Sequence, residues 1–317
     1  MRKNITVEFT NERIIPSGGP AVVGAILGKS DFVKNCNNMK VGCNHSQHQI
    51  KNSDVMLTYI GMQCMGKPSF DAVHEMDDDP DFYKAAPGTC YAIPSAETLR
   101  QRFDLIGSSI RRQIPDENIK MLRSNGVVPS KLPCGYVPVD MDVSPFDNSK
   151  TCKEGVSRTY KGCDGYAPMF AHIGSEGYLA NLELREGKQH CQKGTPRFLE
   201  ETIGLCRQLT DDPLLFRLDS GNDSTENTGI LPEHGCHFII KRSLRKESKE
   251  DWLRMAEDNS LDITHPRDGK DVYTGSGWKE ITYQTQDGAT RHALRTISVQ
   301  NEVICAQYIG IFTDVRF

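Results

Sequence analysis

The sequence predicts an α/β domain built on a mixed sheet and preceded by a small helical region. Residues 51–130 carry apolar side chains at helical spacing, whereas short strand-like segments dominate from residue 136 onward. A helix-like segment with Pro196 in its first turn lies between two groups of these strands. Strands interrupted by helices are typical of an α/β fold, in which the helices cover a sheet.

Two amphipathic helices are predicted in the amino-terminal part of the chain. The first covers residues 52–65, with Ser53 as its expected cap. The second begins at Ser95, whose hydroxyl can cap it. The stripe that this second helix is expected to bury consists of Leu99, Phe103, Ile106 and Ile110. Residues 1–50 are polar and are expected to be irregular, and the acidic run 77–81 is expected to be a solvated loop.

Strands are predicted over most of the remaining chain. The predicted strands cover residues 136–143, 166–173, 178–184, 214–218 and 236–240. The intervening helix begins at Thr195, and a second helix is expected over residues 249–258. Residues 272–312 are predicted to form further strands around an Asp-Gly turn at 287–288.

Charge and composition exclude several classes of protein. The 317 residues have a net charge of −4, which argues against coating nucleic acid through bulk positive charge, although a local basic surface can still follow phosphates. No apolar run approaches the roughly 18 residues of a membrane helix. The amino end does not resemble a secretory leader, so the 11 cysteines are expected to be reduced thiols in a cytoplasm.

Acidic residues at strand ends are the strongest functional signal in the sequence. Asp140 and Asp142 alternate with apolar residues in the strand 136–143, so their carboxylates point to one side, about 7 Å apart. Asp219 directly follows the apolar strand 214–218, at a carboxyl end where α/β sheets place their sites. The alternative for the first pair is two solvent-facing aspartates on an edge strand.

Carboxylates at strand ends favour Mg²⁺ or Mn²⁺ over zinc, because hard cations prefer oxygen ligands. Two such ions can activate a water or a 3′-hydroxyl on one side of a phosphodiester and stabilise the leaving oxygen on the other. The acidic residues therefore fit a nuclease or a strand transferase.

The sequence resembles the DDE transposases of bacterial insertion sequences, whose catalytic core is RNase H-like. The resemblance covers the chain from about residue 50 onward. It rests on the segments DMDVSPFDNS (140–149), EGVSRTYKG (154–162), DGYAP (164–168), ELREG (183–187) and RLDSG (217–221). The resemblance implies cleavage and strand transfer, with Mg²⁺ or Mn²⁺, at the ends of an insertion sequence. It also implies double-stranded DNA as partner (the terminal inverted repeats and the target), a homo-oligomer, and a bacterial cytoplasmic location at the nucleoid, away from membranes.

Three aspartates are the catalytic and metal-binding candidates that the resemblance implies. The first acid is Asp142, because the family places a Ser or Thr two residues later, here Ser144, and Asp140 stays open as its rival. The second acid is Asp219. No segment downstream matches the family's third acid, a Glu, so the domain over residues 131–317 is expected to be truncated and incomplete. The alternative function is then an inactive remnant that only binds element-end DNA.

The helical region 51–130 is the candidate DNA-binding domain. Arg100, Gln101 and Arg102 belong to the residue types that read guanine and adenine in the major groove. The alternative is an ordinary amphipathic helix with a basic outer face. Further candidate contacts to DNA are Arg158, Lys161, Lys241 and Arg242.

Overall fold

The structure is a computed structural model. It describes residues 18–39, 50–88, 92–241, 260–268, 270–284, 290–302 and 307–313, with residues 11, 243, 248, 250, 254 and 258 described singly. The chain divides into two compact units, Met1–Gly126 and Val127–Phe317. No helix in these described ranges is long and apolar enough to cross a membrane.

The first unit is helical. Its elements are α1 (Gly19–Leu27), α2 (Phe32–Asn38), α3 (Asn52–Cys64), a 3₁₀ helix (Phe70–Asp78), α4 (Pro80–Ala85) and α5 (Ala96–Ser124). Helices α1 and α2 lie where the sequence predicted an irregular segment; Pro20 starts α1, and apolar residues follow it. The acidic run 77–81 is likewise helical rather than a loop, because the Asp79 side chain caps α4 by accepting from the Phe82 amide.

The two predicted helices of this unit are present. Helix α3 matches its prediction, but Lys51 occupies the N-cap, and Ser53 is buried, where its amide donates to Asn37 Oδ1 over 3.1 Å. Helix α5 begins as predicted, with the Ser95 hydroxyl accepting from the Thr98 amide, and continues through Pro115. Its stripe lies in the core of the unit, where Phe103 stacks on Phe70 with ring centroids 5.7 Å apart.

The second unit contains the predicted mixed sheet. Its strands are β1 (Val137–Val143), β2 (Phe146–Asp147), β3 (Ser157–Arg158), β4 (Asp164–Tyr166), β5 (Met169–Ile173), β6 (Tyr178–Glu183), β7 (Leu214–Leu218), β8 (His237–Lys241), β9 (Ser260–Arg267), β10 (Lys270–Gln284), β11 (Thr290–Glu302) and β12 (Gln307–Thr313). Its helices are α6 (Thr195–Cys206) and α7 (Thr225–Glu233). The predicted strand 166–173 is split into β4 and β5 by Pro168, which has no amide to donate to a ladder.

Five strands form the half of the sheet that positions the candidate site, in the order β6-β5-β1-β7-β8. Strands β1, β5 and β6 pair antiparallel, whereas β7 and β8 run parallel to β1. Strands β12, β11, β10 and β9 continue the sheet beyond β8. A mixed five-strand sheet of this order with flanking helices is RNase H-like, as the sequence predicted.

The two faces of this sheet differ in chemistry. Val139 and Met141 of β1 and Phe216 of β7 are buried on one face, in the core to which α6 contributes Phe198 and Leu199. On the opposite face, Asp140 and Asp142 of β1 and Arg217 of β7 are half-buried or exposed, whereas Pro138 and Leu215 at the start of the two strands are buried. Strand periodicity therefore sends the apolar residues into the core and the charged residues to the opposite face.

A buried arginine fixes the connection from β6 to α6. Arg185 is only 1% exposed, and its Nε donates to Glu183 Oε1 over 2.7 Å. Its Nη1 donates to the Cys191 carbonyl over 2.9 Å and to Thr195 Oγ1 over 3.2 Å. The guanidinium also lies over the Phe198 ring, 5.7 Å from its centroid. One side chain thus holds the segment that leads into α6.

Arg185→Gln is expected to lower the free energy of unfolding by about 2–4 kcal/mol, because it removes a buried cation from a charged partner and two polar acceptors. Arg197→Gln is the matched control, since Arg197 bonds to the same Glu183 over 2.9 Å but is 69% exposed. Its expected cost is below about 1 kcal/mol. Urea unfolding followed by circular dichroism measures both; equal losses would contradict a special role for Arg185.

Candidate functional site

The pairing of β1 with β7 brings Asp142 and Asp219 together. The two strands are parallel, with Asp140 opposite Arg217 and Met141 opposite Leu218. The next residues along the two strands are Asp142 and Asp219. Because adjacent strands lie about 4.8 Å apart, both carboxylates stand side by side at the carboxyl ends of neighbouring parallel strands.

Asp142 keeps one carboxylate oxygen available. Its Oδ1 accepts from the Val143 amide over 2.8 Å, and its Oδ2 accepts no hydrogen bond from the described residues. Partial burial raises the pKa of Asp142, and the charge of Asp219 raises it further. The Val143 amide and the Lys161 ammonium act in the opposite direction without cancelling the rise. The ionised form of Asp142 is therefore incompletely compensated by its surroundings.

Asp219 is held by the turn that follows β7. Its Oδ1 accepts from the Gly221 amide over 3.1 Å and from Asn222 Nδ2 over 2.8 Å. Its Oδ2 accepts nothing from the part of the chain that the structure describes. Each aspartate of the pair is thus oriented through one oxygen and leaves the other oxygen accessible.

Asp140 is engaged differently from Asp142. Arg217 Nε lies 2.5 Å from Asp140 Oδ1, and Arg217 Nη2 lies 2.6 Å from Asp140 Oδ2. This two-pronged ion pair uses both carboxylate oxygens, and the Asp140 hydrogen bond raises the pKa of the arginine. The charge of Asp140 is therefore neutralised by protein, whereas that of Asp142 is not.

Aromatic side chains lie beside Asp142 on the side away from Asp219. Phe170 of β5 is in register opposite Asp142. Its ring centroid lies 5.9 Å from that of Phe146 and 6.1 Å from that of His172. An apolar neighbour excludes water from one side of the carboxylate, which is consistent with burial being the largest cause of its raised pKa.

Two residues next to the aspartates escaped the sequence analysis. The Tyr160 hydroxyl donates to the Val143 carbonyl over 3.1 Å, and the Cys191 thiol donates to the Gly221 carbonyl over 3.0 Å. Burial raises the pKa of both groups, and the charge of Asp219 contributes to each rise. Tyr160 lies within the segment EGVSRTYKG (154–162), but no spacing in that segment indicates that its side chain folds back onto β1.

Gly221 is required where Cys191 meets the turn. A Cβ atom at position 221 would lie 2.8 Å from Cys191 Sγ and 3.2 Å from Asp219 Oδ1. The thiol and the carboxylate thus occupy the space of a side chain. Any larger residue would have to displace the Cys191 thiol or shift the Asp219 carboxylate.

A third acidic ligand is not found among the described residues, where no group of three or more His, Cys, Asp or Glu side chains could hold a metal ion. Glu250 is exposed and accepts from the Ser248 hydroxyl over 2.9 Å. Glu257, the other helical candidate, lies outside the described residues.

The candidate DNA-reading residues of α5 all have partners within the chain. Arg100 Nη2 bonds to Asp71 over 2.5 Å, and Gln101 Nε2 donates to Glu97 over 2.9 Å. Arg102 donates to the Ile50 carbonyl over 3.1 Å and to Asn52 Oδ1. These contacts tie α5 to neighbouring segments, so base reading by any of the three side chains would require exchange of partners.

The other candidate DNA contacts lie in the second unit. Lys161 is close enough to Asp142 for its charge to lower the pKa of that carboxylate. Arg158 is 70% exposed, with its Nη1 3.6 Å from Asp164. Lys241 is exposed at the end of β8, and Arg242 lies outside the described residues.

Comparisons with known proteins identify a family. The family model described as transposase DDE domain group 1 matches residues 1–297. No curated protein matches the chain. Among solved structures, a cryo-EM structure of the piggyBac transposase synaptic complex with hairpin DNA is similar at 11% identity and a TM-score of 0.40. That alignment covers 94% of this chain and 61% of the piggyBac chain, so this chain spans about three fifths of its length.

Asp142→Asn is expected to raise the free energy of unfolding at pH 7, by up to about 1 kcal/mol because the group is largely exposed. The raised pKa means that the folded protein takes up the proton of Asp142 more readily than the unfolded chain. As the pH falls through the pKa of Asp142 in the folded protein, the free energy of unfolding of the wild type therefore rises. The difference between the wild type and Asp142→Asn is then expected to disappear. Urea unfolding of both proteins between pH 7 and pH 4 measures this difference.

Asp212→Asn is the control of opposite sign. Its hydrogen bond to Lys131 lowers the pKa of Asp212, so its ionised form stabilises the fold and the substitution is expected to destabilise it at pH 7. Destabilisation by Asp142→Asn at neutral pH would show that the charge of Asp142 is already compensated in the fold.

Proposed function

The chain belongs to the transposase DDE domain group 1 family, and we propose that it is a metal-dependent transposase that cuts and joins DNA at the ends of an insertion sequence. The observation that carries this proposal is the placement of Asp142 and Asp219 at the ends of two adjacent parallel strands. The terminal repeats and the target, both double-stranded DNA, are its proposed substrates, and a homo-oligomer is its proposed working form.

Asp142 and Asp219 are the proposed metal ligands. Each presents a free Oδ2 from a carboxylate whose other oxygen is fixed by local hydrogen bonds. The donor set consists of hard oxygens, which fits Mg²⁺ or Mn²⁺. When bound, the ions supply activation of the attacking oxygen and stabilisation of the leaving one.

Asp140 and Arg217 are proposed to position the metal ligands rather than to bind metal themselves. Their ion pair joins β1 to β7 on the charged face of the sheet, two residues before the ends that carry the ligands. The pair holds the two strands in register, and it neutralises a carboxylate that would otherwise compete for the cation. This reading favours Asp142 over Asp140 as the first acid.

A DNA-binding protein without cleavage activity is the second candidate function. It is supported by the lack of a third acidic ligand beside Asp142 and Asp219 in the described part of the chain. With two acids alone, ions and nucleophile would be held less well, and the rate would fall accordingly. Such a protein would still bind the element ends.

Metal binding tests the site directly. Asp142→Asn and Asp219→Asn are each expected to weaken Mn²⁺ binding by at least about tenfold, because each removes one charged ligand of a pair. Asp140→Asn, the matched control on the same strand, is expected to cause a smaller loss because Asp140 is already bound to Arg217. Electron paramagnetic resonance of free Mn²⁺ measures all three. Equal affinities across the set would rule out the pair as the metal site.

Cleavage separates the two functions. Mn²⁺-dependent nicking of DNA that carries the element ends, abolished in Asp219→Ala, supports the transposase. End-specific binding by both proteins, with nicking by neither, supports the inactive DNA-binding protein. Nicking that is as strong in Asp219→Ala as in the wild type would contradict the assignment of Asp219.

A further inference from the structure

Tyr160 combines an exposed ring with a fixed hydroxyl. The residue is 70% exposed, so most of its side chain is accessible to solvent. Its hydroxyl nevertheless donates to the Val143 carbonyl over 3.1 Å, directly after Asp142. This hydrogen bond puts Tyr160 at the edge of the proposed metal site; partial burial of the hydroxyl raises its pKa most, and the charges of Asp142 and Asp219 raise the pKa further. The ring is thus held in place without being buried.

The turn that carries Tyr160 is built tightly. We refer to residues 159–163 as the 159–163 turn. Thr159 is buried, and both its amide and its hydroxyl donate to the Cys163 carbonyl, over 2.8 Å and 2.9 Å. The Gly162 amide donates to the Thr159 carbonyl over 3.0 Å, with Gly162 at a φ of 83° that favours glycine. The small sheet β2-β4-β3 supports this turn, because β3 precedes it and β4 follows it.

Lys161 adds a positive charge to the same turn. It is exposed, and its ammonium is the only cation in the described residues that lowers the pKa of Asp142. An ammonium near Asp142, a proposed metal ligand, suits a polyanion that the metal would also contact, namely a phosphodiester strand. The turn therefore presents an aromatic face and a cation side by side.

We propose that the 159–163 turn is a subsite for an unpaired nucleotide next to the scissile phosphate, which deepens the proposed function and rests on it. The Tyr160 ring stacks on the base, and the Lys161 ammonium binds the adjoining phosphate. Stacking selects unpaired nucleotides because only there is the face of a base free, and it tolerates every base. The hydroxyl bond to Val143 orders the ring in advance, which lowers the entropic cost of binding.

Fluorescence of 2-aminopurine tests the stacking partner. The full-length chain is titrated into a short single strand with a central 2-aminopurine, and into the corresponding duplex, in EDTA and in Mg²⁺. The wild type is expected to quench the single strand and to leave the duplex unquenched. Tyr160→Leu, which keeps apolar bulk without a π-face, is expected to lose the quenching and to weaken single-strand binding about tenfold. Tyr160→Phe is expected to keep most of both, because the ring remains.

Lys161→Gln tests the phosphate contact, with Lys153→Gln as the matched control in the same small-sheet region. The first is expected to lower the slope of log affinity against log salt by about 0.7, the value for one contact to a single strand, and to leave the quenching intact. The second is expected to change neither. Equal slopes for the two variants would overturn the phosphate contact.

The outcomes separate this proposal from the proposed function. Quenching by Tyr160→Leu equal to that of the wild type, or its loss in Tyr160→Phe, would overturn the stacking role. A wild type that binds no Mn²⁺ refutes the metal site alone, while the titrations in EDTA still decide on the turn.

Discussion

The parallel pairing of β1 with β7 is the constraint on which the candidate site depends. It places Asp140 opposite Arg217 and Met141 opposite Leu218. The residues that follow this last pair are Asp142 and Asp219, which therefore lie on neighbouring strands at the same end of the sheet. The ion pair between Asp140 and Arg217 locks this alignment on the charged face, while Val139 and Phe216 are buried on the other. A slip of one residue would send the charges into the core, so packing and site share one register.

The three carboxylates at the carboxyl ends of β1 and β7 differ in how far the protein neutralises their charge. Arg217 satisfies Asp140. In the part of the chain that the structure describes, Asp142 and Asp219 have only local hydrogen-bond donors, and Lys161 is the one cation whose charge acts on Asp142. A fold selected for stability alone would pair such charges, because uncompensated like charges cost free energy. A carboxyl group with a raised pKa beside a second carboxylate, as at Asp142, is typical of functional sites. The counter-charge that we propose for this pair is a divalent cation.

The site is assembled from segments far apart in the chain, each held by its own local device. Arg185 fixes the connection that presents Cys191, the Cys191 thiol closes on the Gly221 carbonyl, and Gly221 in turn donates its amide to Asp219. On the other side, the small sheet delivers Tyr160 to the Val143 carbonyl. Rigid support from several elements is what a site needs to hold two carboxylates in one geometry.

The sequence by itself located the longer helices and most of the strands of the first half of the sheet, and it placed two of the candidate acids on one strand face. Apolar periodicity located α3, α5 and α6, and alternation placed Asp140 and Asp142 on one face, because both signals are local. Its motifs also indicated the transposase family. Only the tertiary structure decided that Asp140 forms an ion pair with Arg217. It also decided that Arg100 and Arg102 bond to other residues of the chain. Tyr160 and Cys191 likewise came to lie beside the aspartates only through the fold. Those facts depend on strand register and on turns that join distant segments, which no local pattern encodes.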